Sequence, residues 1–214
     1  MLFNSFVFVA FLLVVLPVYY ALPHRGQNRF LLVASYVFYG YWDPRFLLLL
    51  AFSSVMDYLL GNAIEGSADP RRRKALVTVS VVGNLGILGF FKYFDFFVTS
   101  AADLLESAGL EPNLPLLHVV LPVGISFYTF QTLAYTIDVY RGEQRAARNF
   151  FDFALFVSYF PQLVAGPIER ASRLLPQIER PRQVTGESIR RGAQLILWGY
   201  VKKVAIADGL APYA

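Results

Sequence analysis

Cysteine is absent from the 214 residues. This chain therefore supplies no disulfide, no thiolate nucleophile and no iron–sulfur ligand. Charge is scarce as well, at 16% Asp, Glu, Lys and Arg, against about 25% in soluble domains. Only two histidines occur, His24 and His118. The sequence also lacks a metal-ligand cluster, a phosphate-binding loop, a G-x-S-x-G nucleophile elbow and a pair of carboxylates spaced for hydrolysis. Residues 1–23 contain no Asp, Glu, Lys, Arg or His, and residues 112–137 contain no Asp, Glu, Lys or Arg.

What is present is apolar. Hydrophobic residues make up 56% of the chain and come in long blocks, where a soluble core would show periodic stripes. Roughly 20 apolar residues cross a bilayer, so the sequence reads as an all-α, polytopic membrane protein. The first block has no basic leader and no A-x-A site, so it reads as a retained helix. The net charge of +4 sits in short loops between blocks, where membrane topology accounts for it without nucleic acid.

Taken in order, the blocks predict spans at about 3–22, 30–42, 46–64, 75–91 (extended toward Asp95) and 118–140. Basic residues at 25–29, 71–74 and 141–148 mark cytoplasmic ends, and the acidic 99–117 segment marks an external one. The N-terminus is then extracytoplasmic. The alternation fails at 150–168, because six arginines lie between Glu169 and Arg191. Pro161, Gly166 and Pro167 interrupt that apolar run. A broken, re-entrant segment on the wall of a cytoplasm-facing funnel resolves the conflict. A full span with a basic external loop is the alternative. Further on, Ile189, Ala193, Ile196, Leu197, Tyr200, Val201 and Val204 form one stripe of an amphipathic helix, expected along the membrane surface or the funnel rim.

Polar residues inside the apolar blocks are the candidates for function. In the 118–140 helix, Ser126, Thr129, Thr132 and Thr136 share one face, and Tyr128, Gln131, Tyr135 and Asp138 share the adjoining one. Lipid disfavours both faces, so they face protein or a wet cavity. Gln131, Asp138, Gln162, Pro167, Lys202 and Lys203 are the residues expected to line a substrate path. The Gln162 amide either orients an acyl thioester or satisfies backbone freed by the break. Asp57 is expected to hydrogen-bond a neighbouring helix. Asp138 is expected to pair with Arg141, and Lys92 with Asp95. Asp152 is expected to cap a helix start. Gly83, Gly86 and Gly89, three apart, suit close helix packing. The 71–74 cluster either sets topology or meets the phosphates of coenzyme A or anionic lipid.

The words PVGISFYTFQTLAYTIDVYRG (122–142) and FPQLVAGPIER (160–170) resemble the membrane-bound O-acyltransferases. The alginate O-acetyltransferase branch is the most similar. YGYWDPRFLLLL (39–50), NLGILGFFKYFDFF (84–97) and the opening block fit as well, so the resemblance covers the chain. It implies an N-terminal portion of one membrane domain, in a bacterial inner membrane. It implies transfer of an acetyl or short acyl group from a cytoplasmic thioester such as acetyl-CoA toward an extracytoplasmic polysaccharide, with periplasmic partner proteins. It also implies a catalytic histidine beyond Ala214, so His24 and His118 are not expected to be catalytic. A transporter or channel with broken helices, or a non-catalytic membrane scaffold, are the competing classes.

Overall fold

A computed structural model describes residues 1, 3–107, 109, 120–163, 166–182 and 184–211, and every regular element among them is helical. The expectations for His118, and for the rest of 110–119, lie outside the described residues. The helices are α1 (Phe6–Ala21), α2 (His24–Gly40), α3 (Leu47–Glu65), α4 (Pro70–Ser107), α5 (Ile125–Arg141), α6 (Phe150–Ser158), α7 (Phe160–Leu163), α8 (Ala171–Glu179) and α9 (Gly186–Tyr200). A π-helical segment, Val201–Ala207, continues α9.

Local chemistry sets several of these boundaries. Asp43 accepts from the Arg45 backbone N–H at 2.9 Å and caps a short 3₁₀ turn, Pro44–Phe46, that leads into α3. The Arg45 guanidinium also grips that carboxylate and holds Asp43 below the usual carboxylate range. Asp69 accepts from the Arg71 N–H at 2.9 Å, and Pro70 opens α4, where its missing N–H costs nothing. Thr185 and Ser188 cap each other's backbone at the start of α9.

Three boundaries differ from those expected. The span expected over 118–140 begins its helix only at Ile125, because Gly124 is left-handed at φ 78°. α4 is 38 residues long, so residues 99–107, expected in an external loop, are helical. Residues 171–179, expected in a basic loop, form α8. Ala171, Leu175 and Ile178 there make the i, i+4, i+7 stripe of one buried face.

The chain forms two compact units, 28–179 and 1–27 with 180–214. In the larger, α3, α4 and α5 pack against one another, and α6 packs on α3 and α8. Its polarity is inverted relative to a soluble core. Ser53, Ser54, Asp57, Ser80, Asn84, Thr129, Gln131, Thr132 and Thr136 are buried, while Leu48, Phe52, Leu59, Val79, Val82 and Phe90 point outward. Pro44–Glu65 and Pro70–Ser107 are each long and apolar enough to cross a membrane, and Phe6–Ala21 is apolar but shorter. This is a helical membrane fold.

In the smaller unit, Arg182 donates to the Tyr19 hydroxyl at 2.8 Å and stacks over its ring. The Tyr200 hydroxyl donates to the Phe3 carbonyl. α9 carries its expected stripe, with Ile189, Ile196, Leu197, Val201 and Val204 all exposed.

Candidate functional site

Both polar faces of α5 are buried, as their spacing requires, except at Ser126, which is half-buried. The threonine face joins a hydrogen-bonded cluster across three helices. Asp57 of α3 accepts from Ser80 (2.6 Å) and Asn84 (2.8 Å) of α4, one donor on each carboxylate oxygen. Thr136 sits 2.9 Å from the Ser80 hydroxyl, and Thr132 donates to the Asn84 carbonyl oxygen at 3.2 Å. Asp57 is 0% exposed. Burial this complete is tolerated because the acceptors are occupied. Asp57 is thus a structural link between α3 and α4, as expected.

The adjoining face meets the broken helix. α6 stops at Tyr159, whose ψ of 110° leaves the helical region, and α7 restarts at Phe160. Pro161 is the cause: it has no N–H for the helical ladder, and its ring would strike the carbonyl four residues back. The break was expected around Pro161, Gly166 and Pro167, and it begins two residues before the first of them. A break frees backbone groups, and each needs a partner. The Phe160 N–H, freed from its helical acceptor Phe156, donates to the Ser35 hydroxyl of α2 at 3.2 Å. The Phe156 carbonyl accepts from two side-chain amides, Gln131 of α5 and Gln162 of α7, each at 3.0 Å. Of the two roles read for Gln162, the structure displays the second.

The start of α5 also touches this break. A Cβ on Gly124 would stand 2.2 Å from the Leu163 carbonyl oxygen, so only glycine fits there. At the opposite end of α5, Arg73 donates to the Tyr140 carbonyl at 2.7 Å and lies over the Tyr140 ring. A cation at a helix C-terminus opposes the macrodipole. Nothing in the run Arg71, Arg72, Arg73, Lys74 singles out Arg73 before folding. Asn28 was missed too. It donates to Asp152 at 2.8 Å and to the Ile178 carbonyl at 2.9 Å, tying the start of α6 to the end of α8.

Of the substrate-path candidates, Gln131 and Gln162 come together on one carbonyl. Asp138 is buried near the end of α5, and no ion pair joins it to Arg141. Its backbone carbonyl accepts from Glu143 and Gln144 as the chain turns at Gly142. Pro167 is exposed in the extended link before α8. Lys202 and Lys203 belong to the other unit, exposed on the π-helical segment, where Lys203 pairs with Asp208. Asn149, not Asp152, caps α6, accepting from the Phe151 N–H at 2.8 Å. Lys92 lies over the Tyr93 ring. Among the three glycines of α4, a Cβ on Gly83 would meet Met56, whereas Gly86 and Gly89 face open space.

The chemistry within reach at the break is therefore hydrogen bonding by two amides and a hydroxyl among buried apolar side chains. No family model and no solved structure matches the chain. Curated proteins do. The chain is 45% identical over its whole length to the probable alginate O-acetylase AlgI of Pseudomonas aeruginosa, and 45% identical to that of Azotobacter vinelandii. It covers 41% and 43% of those proteins. It is also 33% identical to the peptidoglycan O-acetyltransferase of Helicobacter pylori, covering 46% of it. The chain thus spans less than half the length of the curated relatives it matches. Five probable alginate O-acetylases align with 99–100% of the chain at 41–45% identity, so the chain is similar throughout to one part of those proteins.

Proposed function

We propose that the protein to which these residues belong transfers an acetyl group onto a polysaccharide as an O-acetyl ester. The observation that carries this reading is the identity along the whole chain to proteins named for alginate O-acetylation. The match to a peptidoglycan O-acetyltransferase supports the same reaction on another glycan. The inverted polarity of unit 28–179 and its internally satisfied helix break suit a protein that handles a polar group within a membrane.

In this reading a cytoplasmic acyl thioester such as acetyl-CoA donates, and the acceptor is an extracytoplasmic polysaccharide reached with periplasmic partner proteins. The membrane is the bacterial inner membrane, and the N-terminus faces away from the cytoplasm. The segment around α6 and α7 dips into the membrane and returns, lining a funnel open to the cytoplasm. Lys202 and Lys203, exposed on the π-helical segment, meet the anionic donor. The general base is a histidine in the part of the relatives that residues 1–214 do not span.

The test is genetic and chemical. Deleting the gene should remove ester-bound acetate from the exopolysaccharide, and the whole gene on a plasmid should restore it. Unchanged polysaccharide acetate in the deletion strain would refute the proposal.

A further inference from the structure

Two basic runs, distant in sequence, meet at one end of the larger unit. Arg71, Arg72 and Lys74 lie in the first turn of α4, and Arg141, Arg145 and Arg148 run from the end of α5 into its link with α6. All six are exposed, and none forms an ion pair among the described residues. Arg73 joins the two runs. It donates to the Tyr140 carbonyl at 2.7 Å and lies over the Tyr140 ring, which holds the start of α4 against the end of α5.

The link beyond Arg141 is fastened too. The Ala147 N–H donates to the Tyr135 hydroxyl at 3.0 Å, and the Ala147 carbonyl accepts from Asn62 at 3.2 Å. The Arg148 carbonyl accepts from Tyr58 at 3.0 Å. Ala146 and Ala147 are buried, so Arg145 and Arg148 project from a fixed backbone. Across 65–74 and 138–148, the seven Lys and Arg face four acids, Glu65, Asp69, Asp138 and Glu143. The surplus is not neutralised within the fold. Membrane orientation needs only the number of such charges; it gives no reason to fasten two runs into one surface.

The position of this surface identifies the anion. α3 ends at Glu65 and α4 starts at Pro70, and both are long and apolar enough to cross a membrane, so the turn between them marks one membrane surface. Leu59 and Val79 point outward less than two helical turns from Glu65 and Lys74. The cations therefore stand where the outward apolar side chains end, at the level of lipid headgroups. Clusters of Lys and Arg at that level attract anionic headgroups, each cation adding about fivefold in affinity.

We propose that Arg71, Arg72, Lys74, Arg141, Arg145 and Arg148 form one docking surface for the phosphates of anionic phospholipids. The guanidinium forks meet the phosphate oxygens, and the acyl chains of the same lipid lie along the outward apolar side of α3 and α4. The surface does not depend on the acyl-transfer reading.

The experiment uses the whole protein in detergent, as wild type, R71Q/R72Q/K74Q, R141Q/R145Q/R148Q and R141K/R145K/R148K. Each is mixed with phosphatidylglycerol and phosphatidylcholine, and the lipids retained are counted by native mass spectrometry. Wild type should prefer phosphatidylglycerol, and the preference should fade as salt rises. Each glutamine triple should lose about fivefold or more of it, while the lysine triple should keep most. Melting in phosphatidylcholine, and the vesicle face from which a single cysteine at Ser67 is labelled, should not change. A preference within about twofold of wild type in both glutamine triples would overturn the surface. No preference in wild type, or one that salt does not reduce, would do the same. So would a preference lost only where the labelled face of α4 has inverted, which would leave the cations a topological role. Displacement of phosphatidylglycerol by 3′,5′-adenosine bisphosphate would overturn the lipid assignment and give the surface to a soluble nucleotide phosphate.

Discussion

Asp57 and Gly124 show at the scale of single residues how little freedom this fold leaves. Asp57→Leu keeps the approximate volume but takes the acceptor from one buried Asn84 N–H and leaves the Ser80 hydroxyl only Thr136 to bond. A stranded buried donor costs about 1–3 kcal/mol. Chemical denaturation in detergent should show a loss of that order, with a smaller loss for Asp57→Asn, which keeps one acceptor oxygen. Gly124 can be compared with Gly142, which has nearly the same left-handed φ, 79°. Gly142→Ala meets nothing within 4 Å and should lose only the conformational strain, about 1–2 kcal/mol. Gly124→Ala adds a collision with the Leu163 carbonyl, so its melting midpoint should drop well below that of Gly142→Ala. Equal midpoints would show that the break can move away from α5. Asp57 could be picked out in the sequence because an acid in an apolar run has to find donors. Asn28 could not, since an asparagine at a helix start has many ordinary uses and its partners lie 124 and 150 residues away.

Among the elements, the α6–α7 break rests on redundant support. Two amides serve one carbonyl, so Gln131→Leu or Gln162→Leu alone leaves Phe156 with a donor. Each single change should cost under about 1 kcal/mol, while the double should cost about 1–3 kcal/mol more than their sum. A double-mutant cycle by thermal or urea unfolding measures that coupling, and strict additivity would mean the two amides are not alternatives. The break itself was legible, because proline in an apolar run removes a ladder bond wherever it falls. Its first residue and its partners were not, because Ser35 lies 125 residues away and only packing brings it to Phe160. α8 was hidden differently. Its apolar spacing is regular, but Arg170, Arg173 and Arg180 gave the stretch the composition of a loop, and burial of Ala171, Leu175 and Ile178 prevailed. The left-handed Gly124 likewise shortened α5, though nothing in a membrane-length apolar run announces which glycine will turn.

For the whole molecule, the lack of cysteine in residues 1–214 permits a direct topological test across this part. Single cysteines placed at Ser67 and Ser100, flanking the apolar part of α4, should react with an impermeant maleimide from opposite faces of sealed vesicles. Labelling of both from one face would remove α4 as a span. The length of α4 carries a further consequence. Thirty-eight residues rise about 57 Å, nearly twice a hydrocarbon layer of about 30 Å. Even tilted by about 40°, the upper end of the usual range, the rod covers roughly 44 Å. Phe90, Tyr93, Phe96 and Phe97, all exposed, begin about 30 Å from the arginines at its start, where the aromatic girdle of a membrane protein belongs. The distance between arginines and girdle works as a thickness gauge, so the fold should be most stable in bilayers of ordinary depth and should lose stability in short-chain or very long-chain lipids.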